Sequence, residues 1–184
     1  MVAIGSLWLP ILVSAVLVYI ASSIVWMFLP HHKNDWAKLP GEDAVLEAMR
    51  RAGVGRGQYR FPFCNPRDKS PETVRKLEAG PLGTMIIWPS GKMSMGKQLG
   101  TWFLYLLVVS TAVACFSAPV LSVGTSYKMV FHTAGGFAIL AYAAAIVPGA
   151  IWWGRSWSST LKEVIDGIVY GLLTAGVFGW LWPR

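Results

Sequence analysis

Apolar and polar residues alternate along this chain in long blocks, far longer than the periods of 2 or 3.6 residues that mark a half-buried strand or helix. Residues 7–29, 99–121, 129–153 and 164–182 are each almost continuously apolar. A helix of about 20 such residues matches the hydrocarbon thickness of a bilayer. The four runs therefore predict four transmembrane helices. The expected fold class is an all-α integral membrane protein, with a small α/β cytoplasmic insert between helices 1 and 2. It divides into residues 1–30 as the first span, 31–98 as the insert and 99–184 as spans two to four. Residues 1–6 carry no Lys or Arg, and the first run exceeds the usual signal-peptide core of about 7 to 15 residues, so it is expected to be retained as a span.

Inside the insert the pattern shortens to that of small soluble elements. Glu42 and Asp43 precede Arg50, Arg51 and then Gly53, the order favoured by a helix dipole and a left-handed cap, which predicts a helix over 42–52. Gln58 to Cys64 alternates, with Tyr59, Phe61 and Phe63 on one face, and Pro62 confines that strand to an edge. Ser70 and Pro71 supply the cap and first position of a second helix that stops at Gly80. Leu82 to Trp88 reads as a second strand. So short an α/β unit buries too little to be stable by itself.

Composition agrees with the block pattern: 54% of residues are hydrophobic and the mean hydropathy is +0.50, more than a soluble domain of 184 residues can bury. Charge adds an orientation. Residues 31–97 hold 12 of the 16 Lys and Arg residues and 7 of the 9 acids, a net +5 of the chain's +7. Positive residues are retained on the cytoplasmic side, so the insert and the turn with Arg155 and Lys162 are expected inside and both termini outside, in an inner (plasma) membrane. Basic and acidic residues interleave beside the spans, which fits a lipid bilayer as partner and argues against nucleic acid. Trp26, Trp36, Trp102, Trp152, Trp153 and Trp157 group as an inner aromatic belt, and Trp8, Trp180 and Trp182 as an outer one. Cys64 and Cys115 fall on opposite sides in this topology and cannot pair within the chain.

Candidate chemistry is sparse. His132 is the one histidine inside a span, whereas a haem held in a bundle needs axial ligands near mid-span, so no cofactor is expected. His31, His32 and Cys64 form the available metal set, but adjacent histidines on a helix point about 100° apart and no CxxC or HxxxH accompanies them. Asp166 is the acid that enters a span. Arg155 and Lys162 lie on its side, so an interfacial ion pair is expected, with a proton or cation site as the alternative. Gly167, Gly171, Ala175 and Gly179 repeat every four residues along the fourth span, and Ala141, Ala145 and Gly149 offer a matching face on the third, where Pro148 predicts a kink. Such a stripe packs another helix, from this chain or from a partner.

No nucleophile elbow, phosphate-binding loop, dinucleotide fingerprint or zincin motif occurs. The function expected on these grounds is that of a non-catalytic accessory subunit packed against other membrane subunits of a larger assembly, respiratory or photosynthetic in type. A small oligomeric transporter or channel is the second reading, and a membrane-anchored enzyme with a catalytic insert the third. The orientation is open to direct test. In a chain freed of Cys64 and Cys115, cysteines placed at Ser6 and Ser126 should label with an impermeant thiol reagent in whole cells, and one at Ser70 should not; the reverse pattern overturns it.

Overall fold

The computed structural model describes residues 2–65, 67–92 and 94–184. They form two compact units, Met1–Asp35 with Ser94–Arg184, and Trp36–Met93. The boundary falls after Asp35, so the polar residues 31–35 belong with the helical unit rather than with the insert.

The first unit is a helical bundle. Its helices are α1 (Trp8–Met27), α4 (Met95–Ser117), α5 (Tyr127–Tyr142), the short α6 (Val147–Trp153) and α7 (Trp157–Leu181), the numbers α2 and α3 falling in the other unit. Four stretches are long and apolar enough to cross a membrane: Ile4–Met27, Met95–Ser117, Tyr127–Trp153 and Trp157–Leu181. The third is not continuous. Pro148 has no N–H for the carbonyl of Ala144 and its ring crowds that carbonyl, so the helix gives way to a 3₁₀ turn at Ala144–Ile146 before α6 resumes.

The helix with the lowest mean hydropathy, α7, is also the most enclosed, packing along both α5 and α1. Its small residues meet backbone. A methyl group added at Gly167 would lie 2.7 Å from the carbonyl oxygen of Tyr142, one at Gly171 would run into Ile139, and one at Gly179 would lie 2.8 Å from the Tyr127 ring. Ala175 faces Gly135 across the same seam. The mate of the stripe on α5 is therefore the face of Gly135, Ile139 and Tyr142. Ala141, Ala145 and Gly149 lie elsewhere: Ala141 is half-buried beside the core, Ala145 is exposed, and Gly149 faces the Arg155 side chain. Ala141 already lies on another face of α5 than Ile139 and Tyr142, and beyond it the 3₁₀ turn at Ala144–Ile146 takes Ala145 and Gly149 out of the register an unbroken helix would give them.

Polar ties hold the remaining contacts. Ser14 on α1 meets Ser110 on α4 at 3.0 Å, and the Trp102 indole donates to Ser22 at 2.9 Å. At the end carrying the chain termini, the Val2 N–H donates to Ala118 and the Trp182 indole to the carbonyl of Ser122, so Trp182 is buried rather than part of an exposed belt. Leu106, Val18, Val113, Val130 and Phe178 fill the interior, while Leu104, Val108 and Leu140 point outward, the distribution lipid requires.

The second unit comprises α2 (Glu42–Arg51), β1 (Gly57–Phe61), α3 (Pro71–Ala79) and β2 (Gly83–Ile87). Ser70 caps α3 by accepting the Thr73 N–H. The strands pair antiparallel with Tyr59 opposite Met85 and Phe61 opposite Gly83, and the Phe61 ring covers the face that glycine leaves open. β1 stops before Pro62, which has no N–H to give to the ladder. Thr73 is the one buried side chain among the described residues of this unit.

The seam between α5 and α7 yields a sharp expectation. Gly171→Leu forces a branched side chain into the Ile139 backbone and should lower stability in detergent by at least about 1–3 kcal/mol, whereas Leu172→Ala, on the exposed side, should leave the thermal midpoint nearly unchanged. Equal effects of the two would refute the seam.

Candidate functional site

At the end of the bundle where α1 stops and α7 starts, two short segments turn polar. Pro30 cannot continue α1 in the ordinary way and instead opens a 3₁₀ turn, Pro30–His32, closed by the Lys33 N–H on the Pro30 carbonyl. A further turn, with the Asp35 N–H on the His32 carbonyl, brings Asp35 back beneath His32. Opposite them α7 presents Lys162 and Asp166, four residues apart and hence on one face.

These side chains form one network. His32 Nδ1 lies 2.6 Å from Asp35 Oδ2, and His32 Nε2 lies 2.7 Å from Asp166 Oδ2. His31 Nε2 lies 3.3 Å from the other oxygen of Asp166. Lys162 Nζ donates to Asp35 Oδ1 at 2.6 Å. The Trp26 indole stacks on the His32 ring, centroids 4.0 Å apart and planes within 3°. His32, Asp35 and Asp166 have side chains no more than 10% exposed, whereas His31 keeps 34% and forms the open side.

Burial would lower the pKa of His32, but the hydrogen bonds to Asp35 and Asp166 and the charges of both carboxylates outweigh it and raise the pKa above 6.5. Protonated, its two N–H groups donate to the two carboxylates at once. Asp35 is held down to about 2 by the Lys162 hydrogen bond first and that of His32 second, against the opposing effect of burial.

Several of these residues were visible in the sequence, yet their partners were not. Neither Arg155 nor Lys162 pairs with Asp166: Arg155 bonds Glu163, and Lys162 bonds Asp35. Nor do His31 and His32 diverge, because the turn carrying them is 3₁₀ and their rings tilt at 43° with centroids 4.1 Å apart, so both Nε2 atoms reach one carboxylate. Cys64 belongs to the second unit, and the donor that joins the two histidines is Asp166. His132 lies on α5 near its start, its ring edge-on to Phe131. Asp35 was missed altogether. Its signal is the spacing Pro-His-His-x-x-Asp directly after an apolar run, which puts a carboxylate one turn beyond a histidine.

Beside the network lies a cavity of about 650 Å³. Trp26 and Met27 of α1, Leu99 and Trp102 of α4, and Ile146 make apolar walls, and Glu163 and Asp166 of α7 stand at its polar side. Tyr142 and Tyr170 also line it, edge to face with centroids 6.1 Å apart, and their buried hydroxyls find no hydrogen-bond partner among the described residues.

The network can hold a proton on His32 or, through His31, His32 and Asp166, a metal ion. In chelator, only the proton acts, and the linkage has two limbs. A depressed Asp35 stabilises the fold above pH 3.8 and loses that contribution as pH falls toward 2. A raised His32 stabilises fully below pH 6.5 and loses its contribution as pH climbs through the raised value. The thermal midpoint in detergent should therefore peak between about pH 4 and 6.5, and Asp35→Asn should flatten both limbs. A midpoint that keeps rising above pH 8 in the parent protein contradicts this wiring.

Comparison with known proteins gives no match: no family model, no curated protein and no solved structure resembles this chain, and its geometry is what a functional reading has to stand on.

Proposed function

We propose that this chain is a multi-pass membrane protein that binds a lipid-soluble molecule within its bundle, with an apolar body and an oxygen-bearing polar end of the ester, alcohol or quinone kind. The observation that carries the reading is the cavity in which aromatic and methionine walls converge on the carboxylates of Asp166 and Glu163. The cavity volume lies within the range that holds small molecules and cofactors. A binding role also stands ahead of a purely structural accessory role, because α5 of the same chain fills the stripe on α7 that a neighbouring subunit would otherwise occupy.

In this reading the protein sits in an inner or plasma membrane with both termini outside and the insert cytoplasmic, following the charge asymmetry of residues 31–98. The polar end of the cavity, beside the turn that leads into the insert, then lies near the cytoplasmic surface.

Mass spectrometry of the protein purified in mild detergent is the test. A defined lipid-soluble species should co-purify near one per chain. Leu99→Trp, which fills the cavity, should abolish its retention without unfolding the bundle. The same mixed lipids on parent and Leu99→Trp protein would sink the proposal.

A further inference from the structure

Two histidines converge on one carboxylate, where a metal ion can stand in for the hydrogens that join them. Asp35 is a carboxylate and can only accept, so the nitrogen facing it, Nδ1, carries a hydrogen. Asp35 is itself fixed by Lys162 on its other oxygen. In the neutral ring this leaves the Nε2 lone pair aimed at Asp166 Oδ2 from 2.7 Å, two acceptors face to face. His31 Nε2 approaches the other oxygen of the same carboxylate at 3.3 Å. Without an ion, a proton on His32 Nε2 and the Nε2–H tautomer of His31 answer both contacts. One metal ion would take the place of both hydrogens and engage all three ligand atoms at once.

We propose that His31, His32 and Asp166 form a divalent transition-metal site, with Zn²⁺ as the favoured ion. The three ligand atoms lie within 4.8 Å of one another; donors around a tetrahedral zinc stand roughly 3.3 Å apart, so His32 Nε2 and Asp166 Oδ2, hydrogen-bonded at 2.7 Å, open by a few tenths of an ångström to admit the ion. Two imidazoles and one carboxylate suit zinc and its first-row neighbours, whereas calcium and magnesium prefer an all-oxygen shell. The surroundings are those of a built site. Metal-bound histidines pass their second N–H to a carboxylate, and His32 does so to Asp35. Trp26 stacked on the ring fixes its plane before any ion arrives.

Charge agrees with the donors. Lys162 neutralises Asp35 and Arg155 neutralises Glu163, while among the described residues Asp166 pairs with no lysine or arginine. Neutral histidines thus leave one uncompensated negative charge at the point where the donors meet. Three protein ligands leave a fourth position free, as in zinc sites that bind water or an exogenous ligand rather than purely structural ones. His31, the partly exposed member, gives the ion its way in. Asp166 also borders the cavity, but the site rests on its own donors and not on the lipid-soluble ligand proposed above.

The test uses the full chain in detergent, stripped with chelator and titrated with Zn²⁺ or Co²⁺. One ion should bind per chain, and Co²⁺ should give the visible absorption of a four- or five-coordinate ion with nitrogen ligands. His31→Gln, at the most exposed ligand, should keep the thermal transition and weaken binding by at least about 100-fold. Asp35→Asn, which changes only the group that orients His32, should weaken it by about 10- to 100-fold. Absence of saturable binding to the parent protein, or binding unchanged in His31→Gln, overturns the site. Because Leu99→Trp blocks the cavity and leaves the donors intact, metal binding retained in that variant while lipid retention is lost separates this site from the cavity reading; joint loss of metal in Leu99→Trp would contradict the independence claimed here.

Discussion

Direct contact between the backbones of α5 and α7 is the constraint on which the bundle depends. Between helices in lipid there is no hydrophobic driving force, so association has to come from close packing and from polar ties. Gly167 and Gly171 supply the first by allowing the chain at Tyr142 and Ile139 to come within van der Waals distance. The same contact sets the chemistry, because Asp166 is the neighbour of Gly167. A helix seated on α5 at Gly167 turns the next side chain back toward His32, and the residue four positions earlier, Lys162, toward Asp35.

Buried polar residues in the bundle follow a consistent rule: each either joins two helices or answers its own backbone. Ser14 and Ser110 tie α1 to α4, Trp102 and Ser22 do so again near the other end, and Thr174 returns its hydroxyl to the carbonyl of Tyr170. The exceptions among the described side chains are the hydroxyls of Ser117, Tyr142 and Tyr170. Two of these three belong to residues that border the same cavity, although the hydroxyls themselves are closed off from it.

The spans and the insert's elements were legible because each depends on nearby residues. A run of apolar side chains, the Ser70-Pro71 cap and the alternation through Tyr59 and Phe61 all act over a few positions. The site was only half legible. His31, His32 and Asp166 stand out as polar residues at the edges of spans, but 134 residues separate His32 from Asp166, and no local rule joins them. The geometric argument against the histidine pair assumed a helix where Pro30 makes a tighter turn. The mate of the glycine stripe was not legible either: spacing alone does not say which face of α5 meets α7, so Ala141 falls beside the seam, and Pro148 breaks the register for Ala145 and Gly149.

Helix α1 is pinned at both extremities, by the Val2 N–H on Ala118 at one and by His32 on Asp166 just past the other. A rod fixed at two points can neither slide by a helical turn nor rotate without breaking a tie. The wall of the cavity made by α1 is therefore rigid, and so is that of α7, locked to α5. The compliant wall is the one containing Ile146, in the stretch where Pro148 has left the ladder of main-chain bonds incomplete. Against the walls made by α1 and α7, this stretch has the fewest main-chain bonds to resist a change of shape, and the proline that looks like a packing defect is what removes them.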